Sequence, residues 1–404
     1  MERVALGTVA SVKSGFAFRS RDWKDAGVPV IKIANVKDGF VTLDGCSFVD
    51  ESVAKSAAVF ELKSGDILIS MTGYIGEVAR VRNEGRMLLN QRVGKFSIKR
   101  PGALDSDFLF HCLRDPELKA NFVAHAYGAA QPNISPALIE QQEIPLPPLP
   151  IQRRIAGILS AYDDLIENCQ RRIKILESMS RAFYREWFVH FRFFGHESVP
   201  RVPSPIGEIP QGWEARKLAE FADFTRGFEP GTDAYKKDSG VGLVKFLRVG
   251  DLSKRDSGLF IDEHLVQGRV LRPLDIAITL DGSVGEVRLG LDGAYSSGIR
   301  RVDVKDKSRL GWVFTYQLLL SDASQATIQA HAKGTTIKHA GSAVTALEFV
   351  SPPETVIKEF ETKASPMMRQ VLILQEQVEN LRRTRDLLLP RLLSGQIDVE
   401  VLVS

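Results

Sequence analysis

The sequence predicts an α+β protein. It reads as two tandem copies of a β-rich domain with helices, separated by two long helices that pair as an antiparallel intramolecular coiled coil. Three observations lead there: a heptad seam in mid-chain, a second seam near the C-terminus, and landmarks that recur in the same order before each seam.

The first seam runs from about Ile151 to His190. Ile155, Leu159, Tyr162, Ile166, Cys169, Ile173, Leu176, Ser180, Phe183 and Trp187 follow one another at alternating steps of four and three. Apolar positions at that spacing line one side of a helix built to lie along another helix. Pro145, Pro147, Pro148 and Pro150 mark its start, because proline is tolerated at or before a first turn but not inside a helix. Gly195 is the expected left-handed cap at the far end. Roughly 40 residues at 1.5 Å each make a rod of about 60 Å. In the second seam Phe360, Ala364, Met367, Val371, Leu374, Val378, Leu381, Arg385, Leu388 and Leu392 repeat the step. Pro366 removes a donor and should break or kink this helix near its start, leaving Met367 to Leu392 as the cleaner part, stopped by Gly395.

The stretches before the seams are copies of each other. Leu6 through Gly15-Phe16 matches Leu218 through Gly227-Phe228, and Val30 to Val36 matches Phe246 to Leu252. Leu62 to Ile69 with Gly73 and Gly76-Glu77-Val78 returns as Leu271 to Ile278 with Gly282 and Gly285-Glu286-Val287. A polar cluster follows in each, Gly128 to Ile134 and Gly334 to Ile337. Short apolar runs bounded by glycine predict strands at 67–70, 78–81, 93–98, 276–279, 285–289 and 301–304. Helices are expected at 107–113, 116–126 and 311–321. The resulting division is a first head over 1–150, a long helix over 151–194, a linker over 195–212, a second head over 213–353, a second long helix over 354–395 and a tail over 396–404. Pro200, Pro203, Pro205 and Pro210 make that linker read as an extended tether rather than a packed element.

Composition is that of a globular protein, 44% hydrophobic and 25% charged. Lys and Arg total 53 against 50 Asp and Glu, so bulk charge reveals no basic face and a nucleic-acid partner must be argued from local placement. No apolar run reaches the roughly 18 residues of a membrane span, and Met1 to Ala10 lacks a signal peptide's apolar core. Cys46, Cys112 and Cys169 are dispersed, which fits a reducing cytoplasm. No phosphate loop, His-Glu-x-x-His or Cys-x-x-Cys occurs, and the histidines lack ligand spacing, so no metal or catalytic constellation is expected. The Gly-x-x-Gly-Glu-Val turns are too short for a dinucleotide fingerprint, and Glu77 and Glu286 read as structural.

The helices carry a family resemblance. Pro147 to Leu159 (PPLPIQRRIAGIL) resembles the opening of the first conserved helix of specificity subunits of type I restriction–modification systems, and Phe183 to Arg192 its far end. Ile209-Pro210-Gln211-Gly212-Trp213 resembles the start of the second head in that family, and Leu381 to Gly395 the close of the second helix. The resemblance implies two target-recognition domains, each reading one half of an asymmetric, bipartite double-stranded DNA sequence. It also implies two docked methyltransferase subunits and two motor–nuclease subunits, with S-adenosylmethionine, ATP and Mg on those partners and no cofactor or catalysis on this chain. The rival readings are a coiled-coil scaffold with two protein-binding heads and a self-contained methyltransferase or nuclease.

Base edges and phosphates call for Arg, Lys, Asn, Gln, Ser or Thr on loops. In the first head the candidates are Lys13, Ser14, Phe16, Arg19, Thr72, Tyr74, Asn90, Gln91, Arg92, Gln131 and Asn133. Those of the second are Arg226, Phe228, Arg248, Ser283, Ser297, Arg300, Arg301, Lys333, Thr335, Thr336 and Lys338. Gln91-Arg92 and Arg300-Arg301 rank first, as occupants of matching places. Phe188, Phe191, Phe193 and Phe194 exceed what a seam needs, and either dock the methyltransferase subunits or pack under the adjacent head.

Overall fold

The computed structural model describes residues 2–399 apart from 38, 83, 129, 130, 206, 308 and 336. It resolves into two compact units, Met1–Ile166 with Asn380–Ser404, and Glu167–Glu379. The two long helices, Leu149–Tyr184 and Glu354–Leu393, each give one half to each unit.

In the first unit a six-stranded sheet runs in the order Ala10–Ser14, Val93–Ile98, Ile67–Ser70, Val78–Arg80, Gly39–Val41, Val36–Lys37. Beside it a four-stranded sheet holds Leu88–Leu89, Val28–Ile31, Ser47–Val49 and Trp23–Lys24. In the second unit Ala222–Arg226, Ile299–Val304, Ile276–Thr279 and Val287–Arg288 form the matching sheet. The strands at 67–70 and 276–279 are buried on both faces, which is why each reads as an unbroken apolar run rather than an alternation. The helices Ser106–Cys112 and Pro116–Ala124 start at Asp105 and Asp115, whose carboxylates accept from free backbone amides. Short helices at Glu51–Ser56 and Pro136–Glu140 were not anticipated, nor was Asp322–Ala330; two of them are too brief to display a period.

Each unit closes its core on both long helices. In the first, Phe108, Leu109 and Phe122 bury with Ile155 and Leu159 of one helix and Leu389 and Leu392 of the other. In the second, Phe314 and Leu319 bury with Tyr184, Trp187, Phe360, Ala364 and Met368. The helix halves run in opposite directions within each unit. Arg154 reaches the Val399 carbonyl at 3.0 Å and Asp163 reaches Arg385. In the second unit Cys169 lies 4.0 Å from Gln377, and the Phe183 and Phe360 rings stack with centroids 5.0 Å apart. No helix among the described residues is long and apolar enough to cross a membrane.

Four expectations are corrected. The second helix runs unbroken through Pro366, because that residue is exposed and the lost bond faces water while Ala364 and Met368 hold the adjoining turns. Met368 rather than Met367 takes the buried place, and Leu389 buries more fully than Leu388. The first helix ends earlier than 194: its α-helical part stops at Tyr184, a π-turn follows over Arg185–Val189, and Phe191 rather than Gly195 makes the left-handed exit at φ 58°. The stretch after it is no tether. Arg201–Ser204 pairs antiparallel with Gly207–Pro210, and Ile209 enters the core. Proline is compatible with a two-stranded ribbon, where one edge needs no donors.

Candidate nucleic-acid interface

Lys13, Ser14, Arg226, Arg300 and Arg301 lie within strands of the main sheets, while the other described candidate side chains sit on loops that backbone hydrogen bonds draw together. Strand Ala10–Ser14 leaves the sheet through Gly15-Phe16, where Gly15 N donates to Val93 O at 3.2 Å and Phe16 N to Leu89 O at 2.8 Å. A Cβ on Gly15 would run into the Leu89 carbonyl, and one on Gly227 into those of Tyr295 and Ser296, so only glycine fits either place. Gln91 N donates to Phe16 O at 2.9 Å and Met71 N to Arg92 O at 3.0 Å, which ties the 90–92 loop to the glycine hairpin that follows Ser70. The segment after Ala126 closes the group: Gly73 N meets Pro132 O at 3.0 Å and Ile134 N meets Met71 O at 2.9 Å.

The second unit repeats the bonds with different side chains. Gly282 N meets Lys338 O at 2.9 Å and Ala340 N meets Leu280 O at 2.7 Å. The hairpins are braced alike: Ser70 Oγ accepts from Glu77 N at 3.0 Å and donates to Tyr74 O, and Thr279 Oγ1 accepts from Glu286 N at 2.9 Å and donates to Ser283 O. Below them Asn35 accepts from Lys32 N at 3.0 Å, as Asp251 does from Arg248 N at 3.1 Å.

Lys13, Arg19, Tyr74, Gln91, Arg92 and Gln131 are exposed in the first unit, as are Arg226, Arg248, Ser283, Lys333, Thr335 and Lys338 in the second. Thr336 lies outside the described residues. Ser14 is half-buried in its strand. Phe16 packs on Phe18 and Phe60, and Phe228 on Phe246, so both belong to the core. Asn90 is buried and accepts from Arg92 N at 3.1 Å, while Thr72 Oγ1 lies 2.7 Å from Asn133 Oδ1. Ser297 binds Glu229 Oε1 through N and Oγ at 3.0 and 2.7 Å.

The two leading arginines are bound within the fold. Arg300 is buried, donating to the carbonyls of Ser297 and Ile299 and meeting Asp281 at 3.4 Å; burial lowers its pKa, with Asp281 opposing. Arg301 holds Asp303 at 2.7 Å and Val270 O at 2.8 Å. Nor do they match Gln91-Arg92. Strand register pairs Ser14 with Gly94 and Arg226 with Arg300, so Arg300 stands where Gly94 does. Asp281, Glu229 and His339 are polar members of the second cluster that the sequence reading missed. Carrying the repeat alignment into the loops would have found Asp281, which precedes Gly282 as Thr72 precedes Gly73.

The four phenylalanines divide. Phe188 and Phe193 are buried against Trp213, with Phe314 and Phe360 also on Phe188, which corrects their assignment to a docking surface. Phe191 is half-buried on Trp213, and Phe194 is 82% exposed. Phe188, Phe191 and Phe193 thus gather on Trp213 at and just beyond the π-turn, and Phe194 does not.

Residues 1–178 match the family described as Type I restriction modification DNA specificity domain. Over 365 residues the chain is 26% identical to the type I restriction enzyme MjaIX specificity subunit of Methanocaldococcus jannaschii, covering 88% of this chain and 82% of that protein. The EcoBI specificity subunit of Escherichia coli is 24% identical over 306 residues, 70% of this chain and 61% of that one. A crystal structure of the type I restriction–modification S subunit from M. genitalium shares the fold with a TM-score of 0.59 at 15% identity, covering 97% of this chain and 96% of the other. The family match, the relatives and the shared fold all point to one class, the DNA specificity components of restriction–modification systems. The chain is thus similar to the specificity subunits of type I restriction–modification systems, with the family match confined to residues 1–178.

Proposed function

We propose that each unit reads one half of an asymmetric, bipartite DNA target, and that the two long helices, as an antiparallel coiled coil, set the gap between the half-sites. The observation that carries this reading is the loop cluster built twice in one chain, on equivalent backbone bonds, with different side chains at equivalent places. Equal scaffolds with unequal side chains are what two different half-sites require. Exposed Lys13, Arg19, Arg92, Arg226, Lys333 and Lys338 contact phosphates or base edges, with Tyr74, Gln91, Gln131, Ser283 and Thr335 beside them.

In this reading the protein works in the cytoplasm with two methyltransferase and two motor–nuclease subunits. It directs adenine-N6 methylation and cleavage without catalysing either. S-adenosylmethionine, ATP and Mg belong to the partners, and Phe194 with the half-buried Phe191 offers an apolar contact for a methyltransferase subunit.

The test combines methylated-adenine mapping in the host genome with duplex binding by the full chain. The expected map holds one bipartite motif with a constant gap. Binding should fall with salt at a slope of about −0.9 per neutralised phosphate. A map without such a motif, joined to salt-insensitive or absent duplex binding, would overturn the proposal.

A further inference from the structure

We infer that His339 is the specificity-determining reader of the second unit, held in place by Asp281 and Arg300, at the place that Asn133 fills in the first. The inference rests on the DNA-reading role proposed above. The equivalence is set by backbone pairing rather than by sequence likeness. Asn133 bridges to both Thr72 and Tyr127, and His339 bridges to both Asp281 and Lys333. Asn133 N and O bond Tyr127 at 2.8 and 2.9 Å, and His339 N and O bond Lys333 at 2.8 and 3.0 Å.

The side chains built on this shared frame differ in kind. Asn133 is braced by neutral groups, with Thr72 Oγ1 at 2.7 Å and the Tyr127 hydroxyl at 3.1 Å. His339 Nδ1 instead lies 2.7 Å from Asp281 Oδ1, and the other carboxylate oxygen of Asp281 meets Arg300 at 3.4 Å. Exposure falls along this chain: the His339 side chain is 63% exposed and that of Asp281 16%, while Arg300 is buried on two carbonyls. A buried anchor, a half-sheltered carboxylate and an outward imidazole make a rigid arm. In the first unit Gly94 stands in the place of Arg300, and a Cβ there would already crowd Val12, Ile69 and Met71, so no such arm can be built.

The arm selects its ligand by hydrogen-bond polarity. A carboxylate accepts, so Nδ1 is the donor, and the tautomer that this contact selects carries its acceptor at Nε2, which has no partner among the described residues. An acceptor directed at a major-groove edge takes an exocyclic amino group, that of adenine or cytosine. Arg300 and Asp281 are thus positioning residues: they fix tautomer and ring direction without touching the base.

Methylated-adenine mapping in hosts carrying single substitutions tests this, with thermal unfolding of each purified full-length variant as a check on folding. His339→Ala should relax one position of one half-site, cutting discrimination there roughly ten- to a hundred-fold, and leave the other half-site as it was. Asp281→Ala should relax that same position, and the double variant should relax it little further, whereas a merely structural role would lower the unfolding temperature with the motif unchanged or would blur several positions. Asn133→Ala should relax a position in the other half-site. A wild-type map with no bipartite motif would sink the underlying DNA-reading role. A normal wild-type motif that His339→Ala and His339→Gln leave unchanged, or that folded forms of both abolish altogether, overturns the assignment of His339 alone.

Discussion

His111 lies among charges and still remains neutral. Its Nε2 is 3.0 Å from Ser160 Oγ and its Nδ1 4.0 Å from Asp163, in an almost fully buried place. Burial lowers its pKa from 6.5 to about 3, with Asp163 opposing and Arg114, Arg80 and Arg385 assisting. The unfolded chain therefore binds more protons than the folded one between those two values. Stability is fully present above pH 6.5 and drains as pH falls toward about 3, by up to about 1.4 kcal/mol per pH unit. In the second unit Gln317, on the corresponding helix, donates to Ser180 Oγ at 2.9 Å. His111→Gln should accordingly flatten the decline, and thermal unfolding midpoints between pH 7 and 4 for both proteins check it; parallel curves would refute the account. At this scale the sequence shows glycines and polar loop residues but not which carboxylate meets which ring. Arg300 was legible as a cation beside a loop, but the sequence showed neither that its counterpart is Gly94 nor that it would be buried against Asp281 and the carbonyls of Ser297 and Ile299.

Among the elements, the long helices are joined in the first unit by a buried carboxylate. Asp163 takes Arg114 Nη1 at 2.6 Å from the head and Arg385 Nη1 at 2.6 Å from the second helix. Burial alone would raise its pKa, but the two guanidiniums more than offset that and hold it below the ordinary range. A depressed carboxylate stabilises above its unfolded pKa, near 3.9, and loses that contribution as pH falls through its folded value. Asp163→Ala leaves two sheltered cations facing each other and should destabilise the protein by about 3–5 kcal/mol, measured by denaturant titration at pH 7; a loss under about 1 kcal/mol would show water to be replacing the carboxylate. The heptad pattern marks Arg385 as a seam position and so points to a polar joint there, whereas Asp163 follows Tyr162 off the pattern and gave no such signal. Periodicity finds the stripe, but a buried charge is visible only when its partners are in place.

For the whole molecule, the paired helices are the element whose length should matter most. Matched insertions in Leu149–Tyr184 and Glu354–Leu393 should alter the gap in the methylated motif while leaving both half-sites unchanged, and a gap that stays constant in such variants would count against the spacer role. The amino-acid sequence by itself determined both long helices and the likeness to type I specificity subunits, because heptad steps and short helix motifs are local patterns that can be read without a partner. What only the tertiary structure decided was where charge and aromatic surface end up. Phe188 and Phe193 turned inward against Trp213, Pro366 was carried by its neighbours' burial, and Asp281 came to hold His339. Each of those outcomes depends on residues far apart in the chain, whose meeting is fixed by packing and pairing rather than by spacing.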